Sequence, residues 1–281
     1  MRVAIFGASG FIGNHLVAAL QARGDNVVRG SLRDPEGAAD LASPCDAIVN
    51  LAGEPVAQRW THEVKRKIED SRTALPRAFM DALKARRAQT RTYVSASAIG
   101  YYGSSESETF TEDSAPGTDF LARVCVDWEA QAFRARELGM RVACIRTGLA
   151  LGPDGGALRT ILVPFKAGIG GRVASGKQWH SWIHVDDVVA IYLTALDRDE
   201  GVLNATAPNP VRNKEFTKAI AAVLHRPAFL PVPAAAIAAV LGEAAPVVTQ
   251  GQRVLPQRLV ADGFTFKFPY VEGALKAAIG R

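Results

Sequence analysis

The sequence is poor in cysteine and has no long apolar run. Its 281 residues include only Cys45, Cys125 and Cys144, which are widely spaced and form no C-x-x-C pair. This set indicates neither a disulfide framework nor a zinc knuckle, so we expect three buried, reduced thiols. The longest apolar candidate, "VPAAAIAAVLG" at 232–242, is much shorter than the ~20 residues that cross a bilayer. We therefore expect no membrane among the partners.

A secretory leader and an acidic excess are also lacking. The chain begins with the strand-like "RVAIF" at 2–6, without the basic flank and apolar core of a signal peptide, which predicts a cytoplasmic protein. Its 33 Lys and Arg outnumber 28 Asp and Glu, and the net charge of +5 favours anionic partners. The densest basic run, at 84–91, comes without any nucleic-acid-binding motif. We interpret it as a solvated helix end and expect no nucleic-acid partner.

Short apolar runs alternate with amphipathic stretches across the first two-thirds of the chain. The strand-like runs lie at 2–6, 26–30, 46–52, 91–97 and 141–147. Near-continuous apolar strands joined by crossover helices are typical of a parallel sheet covered on both faces. The sequence therefore predicts the α/β fold class with a Rossmann-type, doubly wound parallel sheet.

Two helix boundaries can be predicted within this region. Pro76 interrupts a long helical pattern from about 61 to 88, so we expect a kink or a restart there. The stretch at 184–196 predicts a turn followed by a helix, with Asp186 or Asp187 as the N-cap.

A glycine-rich loop follows the first strand-like run. Gly7, Gly10 and Gly13 form G-x-x-G-x-x-G between that strand and a predicted helix. Such a loop must turn sharply, let backbone N–H groups approach a pyrophosphate, and let the helix pack closely on the strand. The phosphates would meet the positive amino end of the helix that starts near residue 11. This context predicts a dinucleotide site.

The end of the second strand-like run indicates which dinucleotide is bound. An acidic residue there suits the ribose 2′-hydroxyl of NAD, whereas arginine and hydroxyl groups accommodate the 2′-phosphate of NADP. Here Ser31 stands eighteen residues after Gly13, and Arg29 and Arg33 flank it. This favours NADP (NADPH) as the cofactor, because a guanidinium matches phosphate geometry well. In the alternative, Asp34 is the carboxylate after a shift of the loop.

The cofactor prediction divides the chain into two parts. We expect an NADP-binding domain at 1–205, with part of 151–182 contributing to the substrate cleft. After about residue 205 the pattern changes to Pro-punctuated helices without repeats, which predicts a small C-terminal lobe at 206–281.

Several motifs together resemble the extended short-chain dehydrogenase/reductase superfamily, which includes the nucleotide-sugar epimerases. They are "GASGFIG" (7–13), "NLAG" (50–53), "SASAIGYYG" (95–103), "IRTGLALGP" (145–153) and "WIHVDDVV" (182–189). In addition, "NLAGEPVAQRW…EDSR" and "GQRVLPQRLVADGFTFKFP" resemble an atypical subgroup labelled NAD-dependent epimerase family or sugar nucleotide epimerase. The biochemical role of that subgroup is largely unassigned, and some relatives carry a cell-division-inhibitor label.

The resemblance implies a set of cofactor contacts on the matching positions. They are Gly7, Ser9, Gly10, Phe11, Ile12 and Gly13 for the pyrophosphate, Ser31 and Arg33 for the 2′-phosphate, Leu51 and Ala52 with the adjoining Gly53 for the adenosine side, and Leu149 and Ala150 near the nicotinamide. Arg72, in "DSR", would also reach the cofactor. In the alternative, the stem of Arg72 packs while its head stays in water.

The catalytic pattern of the superfamily is incomplete in this chain. Its reductases and epimerases use Ser or Thr with a Tyr-x-x-x-Lys pair, in which the ammonium depresses the pKa of the phenol toward neutrality. Ser97 matches the serine, but none of the five tyrosines has a lysine four residues on. The segment that should supply the pair, 119–135, contains neither residue type.

Two functional interpretations therefore stay open. In the first, Ser97, Tyr101 and Tyr102 are catalytic in an oxidoreductase or epimerase-like protein acting on an unidentified small molecule, with Lys67, Arg72 or Arg123 as a nearby cation. In the second, the tyrosines only pack under a turn, and the chain is a noncatalytic NADP-binding regulator linked to cell division. A homodimer or a protein partner is compatible with either interpretation.

No metal site is predicted. His180 and His184 are four residues apart, but they precede the predicted helix and no third ligand is evident. The stretch "GIGGR" at 168–172 lacks the Gly-Lys-Ser/Thr of a P-loop, and we interpret it as a flexible stretch lining the substrate cleft. Arg172 and Lys177 could meet an anionic substrate there.

Overall fold

The computed structural model describes residues 1–280, and a parallel sheet forms its centre. The elements in chain order are β1 (Arg2–Phe6), α1 (Phe11–Ala22), β2 (Asn26–Gly30), α2 (Pro35–Ala42), β3 (Ala47–Asn50), α3 (His62–Asp70), α4 (Ala74–Ala85), β4 (Thr92–Ala98), β5 (Thr109–Phe110), α5 (Phe120–Phe133), β6 (Arg141–Thr147), β7 (Leu149–Leu151), α6 (Gly156–Lys166), β8 (Trp179–His180), β9 (Trp182–His184), α7 (Val185–Asp197), β10 (Gly201–Ala205), β11 (Val211–Arg212), α8 (Asn213–Leu224), α9 (Ala234–Leu241), α10 (Pro246–Thr249), β12 (Arg253–Val254), α11 (Gln257–Ala261) and α12 (Val271–Ile279). Short 3₁₀ helices lie at Ile99–Tyr102, Arg134–Leu138 and Gly242–Ala244.

Six strands form the central sheet, in the order β10-β6-β4-β3-β1-β2, and all of its pairs are parallel. The strands β1, β2 and β6 have the predicted bounds, whereas β3 is shorter than 46–52 and β4 lies one residue later than 91–97. The strand order reverses at β1, because β2 lies on one side of it and β3 on the other. Ligands of such sheets bind where the strand order reverses, at the carboxyl ends of the strands.

Helices cover both faces of this sheet, as the doubly wound prediction requires. Alternate residues of β1 point to opposite faces, so that Val3 and Ile5 join one buried cluster and Ala4 and Phe6 join another. The first cluster includes residues of α1 and α7, and the second includes residues of α2, α4 and α5. The predicted fold class is therefore confirmed.

Two helix boundaries differ from the prediction. The break in the long helical pattern precedes Pro76, since α3 ends at Asp70 and α4 begins at Ala74. Proline is tolerated in the first turn of a helix, where its missing N–H would have no partner. The expected aspartate N-cap of α7 is wrong, because His184 is the N-cap and its Nδ1 accepts from the backbone N–H of Asp186 at 3.2 Å.

A third buried cluster joins the middle of the chain to its C-terminal part. It packs α6 and Trp182 against α8 and α12. The predicted division at 205/206 stays a prediction, and the last residue of the predicted lobe lies outside the described residues. All three cysteines are buried and free, as expected. Within residues 1–280, none of the helices is long and apolar enough to span a bilayer.

Candidate cofactor and active site

The glycine loop lies at the reversal point of the sheet. Gly7 has φ of +81°, and a Cβ added there would lie 2.7 Å from the carbonyl carbon of Leu51. A Cβ added to Gly13 would lie 2.3 Å from the carbonyl oxygen of Gly7. Both positions therefore require glycine, the first for its dihedral angle and for the approach of the β3 end, the second for the approach of α1.

The amino end of α1 leaves its first N–H groups available to a ligand. Its N-cap residue is Gly10, no side chain caps the helix, and no acidic residue lies in the first turn. Ser9 and Gly10 are exposed, whereas Ile12 packs against the first core cluster. The uncapped N–H groups and the positive helix end suit an anion.

The ring of Phe11 closes one side of this helix end. Added Cβ atoms at Gly152, Gly155 and Gly156 would all lie within 3 Å of that ring. The loop after β7 therefore packs directly on the first turn of α1.

The end of β2 lies beside the glycine loop, because Phe6 of β1 pairs with Gly30 of β2. Ser31 and Arg33 follow at once, and both are exposed. Asp34 is the N-cap of α2, and its carboxylate accepts from the backbone N–H of Gly37 at 3.1 Å. Since Asp34 serves the helix, a hydroxyl and a guanidinium are the polar groups that this edge of the crevice offers to a ligand.

Hydrogen bonds to β1 and β4 fix the end of β3. The side chain of Asn50 donates to the hydroxyl of Tyr93 at 3.2 Å and accepts from the backbone N–H of Ala52 at 3.0 Å. Leu51 donates its backbone N–H to the carbonyl of Phe6 at 2.8 Å. Leu51 and Ala52 thus form a fixed wall beside the glycine loop.

Arg72 borders the same crevice through Gly53. A Cβ added to Gly53 would lie 2.9 Å from Nη2 of Arg72. The guanidinium donates to the carbonyls of Glu54 at 2.9 Å and Ile68 at 3.2 Å, and it lies 4.9 Å from the ring of Trp128. Burial lowers the pKa of Arg72. The head group is therefore enclosed by protein, which disfavours the alternative of a head in water. Its contact with a cofactor stays a prediction.

Leu149 and Ala150 lie in β7, just past the end of β6. Both are half-buried, and Leu149 donates its backbone N–H to the carbonyl of Ser181 at 2.9 Å. Ala150 packs against the same core cluster as Ile12. The structure thus brings β7 and the start of α1 to one end of the sheet.

Behind Ser97 lies a buried ionic network. The hydroxyl of Ser97 donates to Oε1 of Glu129 at 2.6 Å. Arg146 donates to both carboxylate oxygens of Glu129, at 2.7 and 2.8 Å. Such a bidentate pair is the strongest geometry for an arginine and a carboxylate. The three residues are at most 5% exposed.

The network continues through Tyr102 to β10. The Tyr102 hydroxyl donates to Oδ1 of Asn204 at 2.7 Å and accepts from Arg146 at 2.9 Å. The backbone N–H of Asn204 donates to Glu112 at 3.0 Å. We call these six residues, Ser97, Tyr102, Glu112, Glu129, Arg146 and Asn204, the Glu129 network. Burial raises the pKa of Tyr102 to about 12, so its burial and bonding argue against a catalytic role, which stays a prediction.

Tyr101 differs from its neighbour. It is half-buried, and its ring centroid lies 3.3 Å from the guanidinium carbon of Arg146. The cations expected near it are engaged elsewhere, since Lys67 pairs with Glu63 at 2.6 Å and Arg123 donates to the Thr118 carbonyl at 2.6 Å.

Arg146 is the cation beside these tyrosines, and sequence reasoning missed it. Cys125, in the segment that should supply the missing lysine, is buried, and its burial raises its pKa to about 12. It therefore cannot replace an ammonium. The available signal for the network is a charged residue, Arg146, that follows the apolar run "VACI" near the end of β6. Buried charges are almost always paired, but the sequence does not tell that Arg146 is buried or that Glu129 is its partner.

The two histidines of "WHSWIH" have separate structural roles. His180 stacks on Phe216 with ring centroids 5.0 Å apart, and its Nε2 lies 3.0 Å from Nδ2 of Asn213. Burial lowers the pKa of His180 to about 4. His184 caps α7. In the part of the chain that the structure describes, no three His, Cys, Asp or Glu side chains are grouped to hold a metal ion.

Two family models match the chain. The NAD dependent epimerase/dehydratase family matches residues 3–206, and a domain of unknown function, DUF1731, matches residues 232–278. The chain is 42% identical to the "Epimerase family protein SDR39U1 homolog, chloroplastic" of Arabidopsis thaliana, over 99% of this chain and 86% of that protein.

Two solved structures are similar throughout. The crystal structure of human epimerase family protein SDR39U1 (isoform2) with NADPH has a TM-score of 0.89 and 33% identity, over 99% of both chains. The UDP-glucose 4-epimerase of Thermus thermophilus in complex with NAD has a TM-score of 0.82, over 99% of this chain and 97% of that one. At 20% identity, the second similarity shows the fold alone.

Proposed function

Because the chain belongs to the NAD-dependent epimerase/dehydratase family, we propose that it binds NADPH at the crevice between β1 and β3. We propose further that it is an oxidoreductase or epimerase-like protein acting on an unidentified small molecule. The observation that carries the cofactor proposal is the pairing of an uncapped, glycine-lined helix end with an exposed Ser31 and Arg33 next to it.

The residues of the crevice fit the anionic groups of NADPH. Backbone N–H groups at the start of α1 would receive the pyrophosphate, and Ser31 and Arg33 would hold the 2′-phosphate. Leu51 and Ala52 would border the adenosine. The NADPH in the human SDR39U1 structure, at 33% identity, supports the same choice of cofactor.

The chemistry depends on which side chain supplies a proton. When bound, NADPH supplies a hydride. The protons of Ser97 and Tyr102 already point to Glu129 and Asn204 within the Glu129 network. Tyr101 is the half-buried hydroxyl of the same loop, with its ring on Arg146. We therefore assign Tyr101 to the substrate side, and we assign Ser97 and Tyr102 to holding that wall in place.

A second candidate is a noncatalytic NADPH-binding protein that acts through a protein partner. The observation in its favour is that the Ser97 and Tyr102 hydroxyls are both consumed inside a buried network. A link to cell division receives no support from the relatives and structures named above.

Calorimetric titration of the purified protein, once with NADPH and once with NADH, tests the cofactor proposal. We expect NADPH to bind at least tenfold more tightly, and equal affinities or no binding would contradict it. The loaded protein is then offered a panel of carbonyl compounds and nucleotide sugars while the absorbance of the reduced nicotinamide is followed. Consumption that Tyr101→Phe abolishes supports the oxidoreductase, whereas tight NADPH binding without consumption across the panel supports the noncatalytic protein.

A further inference from the structure

Helix α9 is apolar on every side and yet lacks a covering partner. Its eight residues read "AAAIAAVL", and none of them is buried. A helix with no polar face is normally enclosed by protein or lipid. Here polar contacts hold it near one end, where Arg59 donates to the Ala239 carbonyl at 3.2 Å and Lys65 pairs with Glu243 at 2.9 Å.

Contacts join the segment that precedes α9 to the segment that follows α6. Backbone pairing joins Val173 to Val232, and Gly171 packs so closely on Leu230 that an added Cβ would overlap the Leu230 carbonyl. The stretch "GIGGR" is thus a packed element here. We call five exposed side chains the apolar patch: Val163 (64% exposed), Ile169 (58%), Phe229 (75%), Leu230 (43%) and Val240 (68%). Exposed apolar side chains that lie together mark interaction surfaces.

The segments that carry the apolar patch are basic, and the carboxylates that flank them, Asp154, Glu215 and Glu243, bond to His15, to the backbone N–H of Arg212 and to Lys65. Segments 156–177 and 216–242, which carry the whole apolar patch, contain no Asp or Glu. They contribute six exposed cations: Arg159, Lys166, Arg172, Lys177, Lys218 and Arg226. Among residues 1–280, none of these six forms an ion pair.

The combination of exposed apolar side chains and unpaired cations discriminates between three possible binding partners: a second copy of the chain, nucleic acid and a lipid surface. A two-fold contact with a second copy would bring two sets of these cations into one interface, where the flanking carboxylates Glu215 and Glu243 already have partners. Nucleic acid would match the cations but would leave the apolar side chains without a partner. An anionic lipid surface matches both, since apolar side chains enter the headgroup–acyl boundary while cations meet the phosphates.

We propose that the apolar patch and its six cations dock the protein on the surface of an anionic lipid bilayer. The contact is peripheral. It departs from two expectations drawn from the sequence, that no membrane is among the partners and that Arg172 and Lys177 meet an anionic substrate, and it does not depend on the proposed cofactor.

Co-sedimentation of the full chain with lipid vesicles tests this proposal. We expect the protein to sediment with vesicles of phosphatidylcholine and phosphatidylglycerol, to stay in solution with phosphatidylcholine alone, and to be released by salt. Phe229→Asp and Ile169→Asp should each abolish sedimentation. Val260→Asp, a matched change at a side chain 54% exposed on α11, should leave it unchanged. Thermal melting of each variant checks that it is folded.

A cation of the patch should contribute a smaller, additive effect. We expect Lys166→Ala to weaken vesicle binding about fivefold, the equivalent of about 1 kcal/mol per basic residue near an anionic surface. Equal binding to both vesicle types, absence of binding, or indifference to the patch variants would each overturn the proposal. A concentration-dependent dimer that Ile169→Asp dissociates would overturn it in favour of a second copy.

Discussion

The nucleotide crevice and the Glu129 network lie at neighbouring strand ends of one sheet, yet they treat polar groups in opposite ways. Around Gly10, Ser31 and Arg33, polar groups are exposed, no side chain caps the helix, and the one side-chain bond that these three residues make within residues 1–280 is from the backbone N–H of Arg33 to the Ser31 hydroxyl at 3.3 Å. Around Glu129, the side chains are buried and bonded to one another. A binding site keeps unsatisfied groups for its ligand, whereas a support satisfies them internally because unpaired buried groups are costly.

The largest expected effect is a loss of stability when the Glu129 network is broken. Arg146→Met leaves the carboxylate of Glu129 buried without its cation, and the loss of a buried partner costs about 3–5 kcal/mol. We expect the free energy of unfolding, measured with urea, to fall by this amount.

A double variant separates the lost pair from lost packing. Glu129→Gln with Arg146→Met removes both charges while keeping an amide near Ser97, so it should lose less than the sum of the two single variants. Additive losses would show that the two charges do not interact.

The second largest expected effect is a loss of NADPH affinity when a side chain is added to the glycine loop. In Gly13→Ala the new Cβ would lie 2.3 Å from the Gly7 carbonyl oxygen, so the loop or α1 must move. We expect NADPH affinity to fall at least a hundredfold, about 2.7 kcal/mol, in calorimetry. Gly273→Ala is the matched control, since its Cβ meets only a Phe268 ring atom at 3.9 Å. Unchanged NADPH binding in the Gly13 variant would refute this use of the loop.

The third expected effect is a loss of preference for NADPH over NADH. Arg33→Ala removes a charge-assisted contact with the 2′-phosphate, and such bonds contribute about 1.5–3 kcal/mol. NADPH affinity should therefore fall at least tenfold, while NADH affinity, measured in the same titrations, should not. Arg198→Ala, at the far end of α7 with a side chain 66% exposed, serves as control. A parallel loss for both cofactors would place Arg33 outside the 2′-phosphate site.

The smallest effect tests whether Tyr102 belongs to the support or to the chemistry. Tyr102→Phe leaves Oδ1 of Asn204 without its donor, which should cost about 1–2 kcal/mol of unfolding free energy. NADPH affinity and any turnover found with the substrate panel should stay within about twofold, or roughly 0.4 kcal/mol. Loss of turnover with intact NADPH binding would instead restore Tyr102 as the proton donor.

The two regions also differ in how far the sequence reveals them. The crevice could be predicted because its central signal is local: three glycines lie within seven residues, between a strand and a helix. The network could not, since its bonds join residues 32 and 102 positions apart, as from Ser97 to Glu129 and from Tyr102 to Asn204. Pattern reasoning found five of the six central strands. It missed β10, whose "GVLNA" has only two large apolar residues and contains the polar Asn204, which serves the network.

The sequence resemblance to extended short-chain dehydrogenases/reductases held for the whole chain, but it was less informative about single residues. The superfamily pattern directed attention to Tyr102, which the structure shows buried against Asn204 and Arg146. A motif identifies which residue types share a loop. It does not tell which of two adjacent tyrosines is packed inward, because that depends on partners contributed by β6 and β10.

The carboxylate of Asp187 has a consequence for how this chain can be divided. It is buried in α7, within the segment matched by the epimerase family, and it accepts from the backbone N–H groups of Lys267 and Phe268, at 2.7 and 3.1 Å. A polypeptide ending near residue 206 would lack both N–H donors of this carboxylate. The segment matched by the epimerase family and the DUF1731 segment therefore share a buried polar contact, in which one supplies the carboxylate and the other both N–H donors.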